Sequence, residues 1–329
     1  MGKRMRPHTL TVPKPLLPIA GKPMVYHIVN ELSHNLEEPI EEVCFIIGRF
    51  GESAEHQLLE ITEGLKIKGK ISYQDNPIGT ADAILCANNS LNGPVIIVFA
   101  DTLFKARFSI PPEPDAIIWV YPVKDPSEFG VVKTGESGLI TDFVEKPSKF
   151  VSNMAITGIY YFRDGKNLRK ELQYLKDNNI VKKGEYQLTD ALENMKNKGI
   201  KFMPHKIDEW LDCGNVHSTI DTNRKILEFN KNILQNTAIS ENSEIIAPVY
   251  LGTGVKITNS SVGPYVSIGE NTEVKNSIIT NSIIQTNCQV VNANLKDSMI
   301  GNFVQFDGGS HPSTEYNISL GDYSNLICR

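Results

Sequence analysis

Two hydrophobic periodicities divide the chain. Over roughly the first two thirds, short apolar runs alternate with segments of helical spacing. Val25, Ile28, Val29 and Leu32 recur at helical spacing after Pro23, a residue that sits well in a first helical turn. VCFII (43–47), bounded by Gly48, predicts a buried strand, SAEHQLLEI (53–61) a helix and KISYQ (70–74) an extended segment. Thr80 to Ala87 is predicted helical. PVIIVFA (94–100) is the strongest buried-strand pattern in the chain, and DAIIWVYPV (115–123) is another. From about 165 to 198 the spacing predicts two helices, the second carrying Leu188, Leu192 and Met195 on one face. Such alternation predicts an α/β domain with a mostly parallel, doubly wound sheet and helices on both faces.

Near residue 235 the helical spacing stops. An aliphatic residue now recurs about every six positions: Ile245, Leu251, Ile257, Val262, Ile268, Val274, Ile278, Ile284, Val290, then Ile300 and Phe306. Glycine follows the aliphatic at 252, 263, 269 and 301, and Asn, Ser and Thr fill the intervals. Hexapeptide periodicity marks a left-handed parallel β-helix, in which each short strand buries one side chain in a prism-shaped core. A plain antiparallel sandwich is the alternative. The predicted domains are 1–234, the β-helix at 235–310, and a C-terminal tail at 311–329. Because one coil cannot bury its own face, such a domain stacks and pairs with copies of itself, so a homo-oligomer through the β-helix is expected.

Composition narrows the function classes. With 40% hydrophobic and 22% charged residues, the 329-residue chain is ordinary globular material. A net charge of −5 argues against a nucleic-acid binder, but a few local cations suffice for one nucleotide. The five cysteines are scattered, with no CxxC pair, and read as reduced cytoplasmic thiols. No apolar run approaches the ~18 residues of a membrane span, and the basic N-terminus lacks an apolar h-region. A cytoplasmic setting with no membrane partner is expected.

Candidate chemistry begins in GKRMRPHTLTVPKPLLPIAGKPM (2–24), a proline-rich segment that spaces Arg4, Arg6, Lys14 and Lys22 ahead of a helix. Fixed φ angles and spaced cations suit a phosphate grip that loses little entropy on binding. A solvated basic arm has the same composition.

The order G-x-R-x-x-P-x-T, then K-P-x-x-P and G-K-P, resembles the N-terminal motif of the sugar-1-phosphate nucleotidyltransferase family, in particular its glucose-1-phosphate thymidylyltransferase and UDP-sugar pyrophosphorylase members. The resemblance implies a Rossmann-like, doubly wound mixed sheet of the glycosyltransferase-A-like kind. It also implies that Arg4 grips the leaving pyrophosphate and that Lys14 neutralises phosphate oxygens. The family places a buried strand and a fuller glycine-rich turn before this arginine; here only Gly2 of that turn is present, so the resemblance implies a missing first strand and exposed strand edges.

Four further segments agree in order. QDNPIGTADAI (74–84) places Gln74 at a strand end and Gly79-Thr80 at a helix start, and an amide can pair with a pyrimidine edge. A turn leading into a capped helix reads the same way. By resemblance Gln74, Pro77, Gly79 and Thr80, with Gly2, bind the nucleotide. Asp101 closes the VIIVFAD strand (95–101), where open α/β sheets bind ligands, although helix capping is a common role there. Resemblance makes it a magnesium ligand, with Asp212 of EWLDCGN (209–215) the second. Magnesium suits few carboxylates completed by waters and phosphate oxygens. Phe129-Gly130 and Glu145-Lys146 of FGVVKTGESGLITDFVEKP (129–147) resemble the sugar-phosphate site, Glu145 holding hydroxyls and Lys146 the phosphate. A surface ion pair is the plain alternative. AITGIYYF (155–162) follows as a strand, with Gly158 close to the sugar. Trp210 packs beside the sugar or in the core, and EYQLTDA (185–191) is scaffold.

The resemblance implies transfer of a nucleotidyl group from an NTP, dTTP preferred and UTP next, to a sugar 1-phosphate such as glucose 1-phosphate, with Mg2+. Two other readings stay open. One is a β-helix acetyltransferase using His311, which acetyl-CoA turnover would reveal. The other is a non-catalytic regulatory paralogue, which decay at Asp101, Lys146 or Asp212 would have favoured; all three are present.

Overall fold

A computed structural model describes residues 3–182, 184–230, 239–309 and 314–328. The chain forms two compact units that interleave along the sequence. One comprises Met1–His27, Ala100–Leu103 and Leu211–Arg329; the other comprises Ile28–Phe99 and Phe104–Trp210.

In the second unit, β1 (Glu42–Ile47) and β2 (Lys68–Tyr73) pair in parallel, joined by α2 (Glu52–Gly64), which follows α1 (Met24–Asn35). The main sheet contains β3 (Val95–Val98), β4 (Ala116–Pro122), β5 (Gly130–Thr134), β6 (Ile140–Glu145), β7 (Met154–Phe162) and β8 (Phe202–Lys206). Its order is β8-β4-β7-β5-β6, with β3 pairing the C-terminal half of β7. The mostly parallel sheet expected from strand–helix alternation is corrected here. Strand β7 runs antiparallel to β3, β4 and β5, and among the described residues of this sheet β8 and β4 are the parallel pair. Several connections, such as β5 to β6, are short enough for antiparallel neighbours, so alternation overstated the helical crossovers. Helices α3 (Thr80–Leu85), α4 (Gly165–Asp177) and α5 (Leu188–Asn197) share the sheet's core: Leu168, Leu172, Leu188, Leu192, Met195 and Phe202 are at most 2% exposed. Strand β3 differs from its expected deep burial. Val95 to Val98 are all half-buried, because among the described residues β3 has one partner strand.

In the first unit, residues 239–309 and 314–327 wind into a parallel β-solenoid of three sheets, consistent with a left-handed β-helix. Ile257, Val274, Val290 and Phe306 stack in register and are 0–1% exposed. The corners explain the polar composition. Asn259, Asn276 and Asn292 each adopt a left-handed φ near +50°, and each Nδ2 donates to the side-chain oxygen of the next coil. Two expectations change. Ile278 is 49% exposed and Ile279, fully buried, takes the inward place, since it pairs with Val262 and Leu295. The coil turns one residue earlier than a strict six-residue count. The expected tail also carries strands Glu315–Tyr316, Ser319–Leu320 and Asn325–Ile327, which add a further coil to all three sheets.

Candidate active site

The candidate residues fall into two groups, one in each unit. In the first unit the N-terminal segment is shaped by its prolines. Pro13 and Pro15 flank the start of the 3-10 turn Lys14–Leu16, and Pro18–Ile19 pairs antiparallel with Lys22–Pro23. The connecting Ala20 and Gly21 both have positive φ, as a two-residue hairpin turn matching strand twist requires. Lys14 Nζ donates to the backbone carbonyl of Asp101 at 3.0 Å. Asp212 ends a short strand, Glu209–Asp212, and its Oδ1 accepts from Gly214 N at 2.8 Å. Asn215 then caps α6 (Val216–Phe229) through a reciprocal bond pair with Ser218.

Gly214 is where Arg4 and Asp212 meet. A Cβ there would lie 3.2 Å from Arg4 Nη2 and 2.9 Å from Asp212 Oδ1, so a side chain would push between them. Lys14, Asp101 and Asp212 all act electrostatically on the buried Cys213 thiol. Burial pushes that thiol up to about 12, with Asp212 and Asp101 adding to the rise and Thr222 and Lys14 opposing it. Cys213 is therefore an uncharged thiol at ordinary pH, within electrostatic reach of three candidate residues, Lys14, Asp101 and Asp212, and not a nucleophile. Arg4, Asp101 and Asp212 are exposed and Lys14 is half-buried. Among the described residues no group of three or more His, Cys, Asp or Glu forms a metal site. Two exposed carboxylates fit magnesium, which keeps waters and shares phosphate oxygens, better than a closed protein cage.

In the second unit, Gln74 organises the loop that follows β2. Its Nε2 donates to Gly79 O at 3.0 Å and to Asp82 Oδ2 at 2.9 Å, and Asp82 is also paired with Lys176 at 2.7 Å. Both neighbours of the NH2 group are acceptors, which determines the amide's orientation and turns Oε1 elsewhere. Gly79 has φ +128°, and a Cβ would lie 2.3 Å from the Tyr186 carbonyl oxygen. The EYQLTDA segment thus braces this loop: Tyr186 N donates to Ile78 O, Ala81 N to Tyr186 O, and Leu188 N to Thr80 Oγ1. Pro77 is exposed.

Gly130 pairs with Glu145 across β5 and β6, and a Cβ on Gly130 would stand 3.1 Å from Glu145 Oε2. The glycine leaves room for that carboxylate over the strand. Lys146 follows in the left-handed region at φ +43° and is tied by its N–H to Phe129 O. Both Glu145 and Lys146 are exposed. Gly158 is buried at a bulge in β7, and Phe99 covers the place a side chain would take, so packing accounts for this glycine. Trp210 packs on Phe129 and Tyr121, at centroid distances of 5.0 and 6.0 Å, with its indole N–H buried. Gly2 and His311 lie outside the described residues.

The nucleotidyl transferase family profile matches residues 1–228. The chain belongs to the nucleotidyl transferase family. It is 26% identical to a glucose-1-phosphate thymidylyltransferase of Streptomyces griseus, over 98% of this chain and 96% of that protein. It is 27% identical to the bifunctional protein GlmU of Methanocaldococcus jannaschii, over 93% of this chain and 76% of that protein. Among solved structures, a Bacillus anthracis protein assigned as a glucose-1-phosphate thymidylyltransferase, in complex with sucrose, superposes with a TM-score of 0.56 at 26% identity. The match covers 68% of this chain and 89% of that one.

In this member of the family, the residues that sequence reasoning passed over are the supports. Asn223 is fully buried, and its Oδ1 accepts both Ala20 N at 2.8 Å and Ser267 Oγ at 2.7 Å. It fixes the hairpin turn from α6. Tyr250 fills the space over Gly21, where a Cβ would lie 2.0 Å from its ring. Their only signal is a polar residue at a core position of α6 and an aromatic beside a repeat aliphatic.

Proposed function

We propose that this chain transfers a nucleotidyl group from a nucleoside triphosphate to a sugar 1-phosphate, releasing pyrophosphate. dTTP with glucose 1-phosphate is the preferred pair, and UTP is the next donor. One observation carries the reading: Arg4 and Asp212 converge at Gly214 while Lys14 is bonded to Asp101, all on one unit.

In the reaction, an oxygen of the sugar phosphate attacks the α-phosphorus in line. A new phosphorus–oxygen bond forms as the bond to the bridging oxygen of pyrophosphate breaks. No covalent enzyme intermediate forms, in keeping with the un-ionised Cys213 thiol. Arg4 stabilises negative charge on the departing pyrophosphate, and Lys14 neutralises phosphate oxygens while its bond to the Asp101 carbonyl holds it in place. Asp101 and Asp212 would hold magnesium, which when bound offsets the charge of the two phosphates. Gln74 Oε1 accepts from the N3–H of thymine or uracil. Cytosine has no hydrogen at that position, so this contact disfavours it. Thr80 and Gly79 support the same loop, and Pro77 lies on it. Glu145 accepts sugar hydroxyls over Gly130, Lys146 binds the sugar phosphate, and Gly158 allows the packing beneath.

Asp101→Asn and Asp212→Asn test the assignment. Each should lower magnesium-dependent turnover by roughly 10²-fold or more, with little change in melting temperature because both side chains are exposed. Near-normal turnover in either variant would remove that residue from the metal site.

A further inference from the structure

The segment with Arg4, Arg6 and Lys14 makes a series of contacts with the far end of the chain. Met5 is fully buried, and its sulfur accepts from Thr219 Oγ1 of α6 at 3.4 Å. His8, 1% exposed, shares a hydrogen bond of 2.9 Å between its Nε2 and Ser319 Oγ. Thr11 Oγ1 donates to Asp322 Oδ2 at 2.7 Å. Between them, Pro7 lies so close to Gly321 that a Cβ on the glycine would stand 2.8 Å from the proline's own Cβ. Ser319, Gly321 and Asp322 belong to the last described coil of the solenoid, the stretch expected from sequence to be a tail. Asp322 is itself fixed there, its Oδ1 accepting from Asn302 N at 2.8 Å.

Three contacts on three consecutive parts of one loop make a clamp. A loop of cations needs such a hold, because side chains that must meet a phosphate in one geometry otherwise lose that order with the backbone. Thr219 secures the Met5 end, and Pro7, His8 and Thr11 each meet the coil.

We propose that the last solenoid coil, through Ser319, Gly321 and Asp322, is the positioning element of the Arg4–Lys14 segment. The solenoid then acts on phosphate handling within its own chain. This rests on the reading of Arg4 and Lys14 as phosphate-binding residues, and the test separates the two ideas.

The variants are Thr11→Val with Ser319→Ala, which removes both hydroxyls without altering the coil's core, and Gly321→Ala, which displaces Pro7. Ile279→Val, deep in the solenoid, controls for general loss of stability. Hydrogen exchange on the full chain reads the clamp directly. Amides of Arg6 and of residues 8–12 should exchange about tenfold faster in the clamp variants and be unchanged in Ile279→Val. Kinetics read its consequence. The KM for the nucleoside triphosphate should rise about tenfold or kcat fall by as much, while the KM for the sugar phosphate stays within about twofold. Unchanged exchange in both clamp variants would overturn the positioning role. Faster exchange with unaltered nucleotide kinetics would show that the coil orders the loop without serving phosphate binding, which also overturns the proposal. Faster exchange in a chain whose unaltered form turns over no nucleotide would count against the functional reading and uphold the clamp.

Discussion

His8 is an uncharged side chain in a place that does not welcome a proton. Burial pushes its imidazole down from 6.5 to about 4, although Asp322 nearby pulls the other way. Between those values the unfolded chain binds a proton that the folded chain excludes. Stability is therefore full above about pH 6.5 and falls as the pH drops toward 4, by up to about 3 kcal/mol. Urea midpoints taken from about pH 7 down to about pH 4.5 should decline, and His8→Gln should flatten much of that decline. An unaltered slope in His8→Gln would show that other groups carry it. Single residues also show the limit of what a motif reveals. The order of Arg4, Lys14, Gln74, Asp101, Glu145, Lys146 and Asp212 was readable because it follows a pattern along the chain. What braces them was not. Asn223, Tyr250 and Ser319 are brought to the N-terminal segment by folding over more than two hundred positions, and no local spacing announces it. Gly79 shows the converse, since its lack of a side chain admits the Tyr186 backbone, whatever else binds there.

Among the elements, most helices and strands of the α/β part were legible because each has one apolar face or run. Their pairing was less so. Periodicity tells which face is buried and says little about strand direction, so the central place of β7 and its three antiparallel neighbours emerged only in three dimensions. The half-burial of β3 has the same origin, since an apolar run records a preference for burial and the neighbours decide how far it is met. In the solenoid, period six located the coils but slipped at 278, where adjacent isoleucines offered two choices. The difference is measurable. Ile279→Ala should cost roughly 2–5 kcal/mol, as expected for an aliphatic side chain lost from a close-packed core. Ile278→Ala should stay within about 1 kcal/mol, because that side chain is half in solvent. Chemical denaturation of both variants checks this, and equal losses would contradict the register.

At the scale of the whole molecule, chain order and compactness part company. The first 27 residues cluster with residues from 211 onward, while the intervening sheet forms its own unit apart from 100–103. A reading that divides the chain at a change in texture near 235 separates the cationic segment from the solenoid that holds it. Family membership rests on the match over 1–228, and the proposed activity rests on the roles assigned to two carboxylates and two cations of the first unit. The most direct test is pyrophosphate release by the full chain with magnesium and dTTP or UTP, with and without glucose 1-phosphate. Release that requires both magnesium and the sugar phosphate, with the NDP-sugar formed in equal amount, is the predicted result. No release under those conditions, or release that proceeds equally without the sugar phosphate, would contradict nucleotidyl transfer to a sugar 1-phosphate.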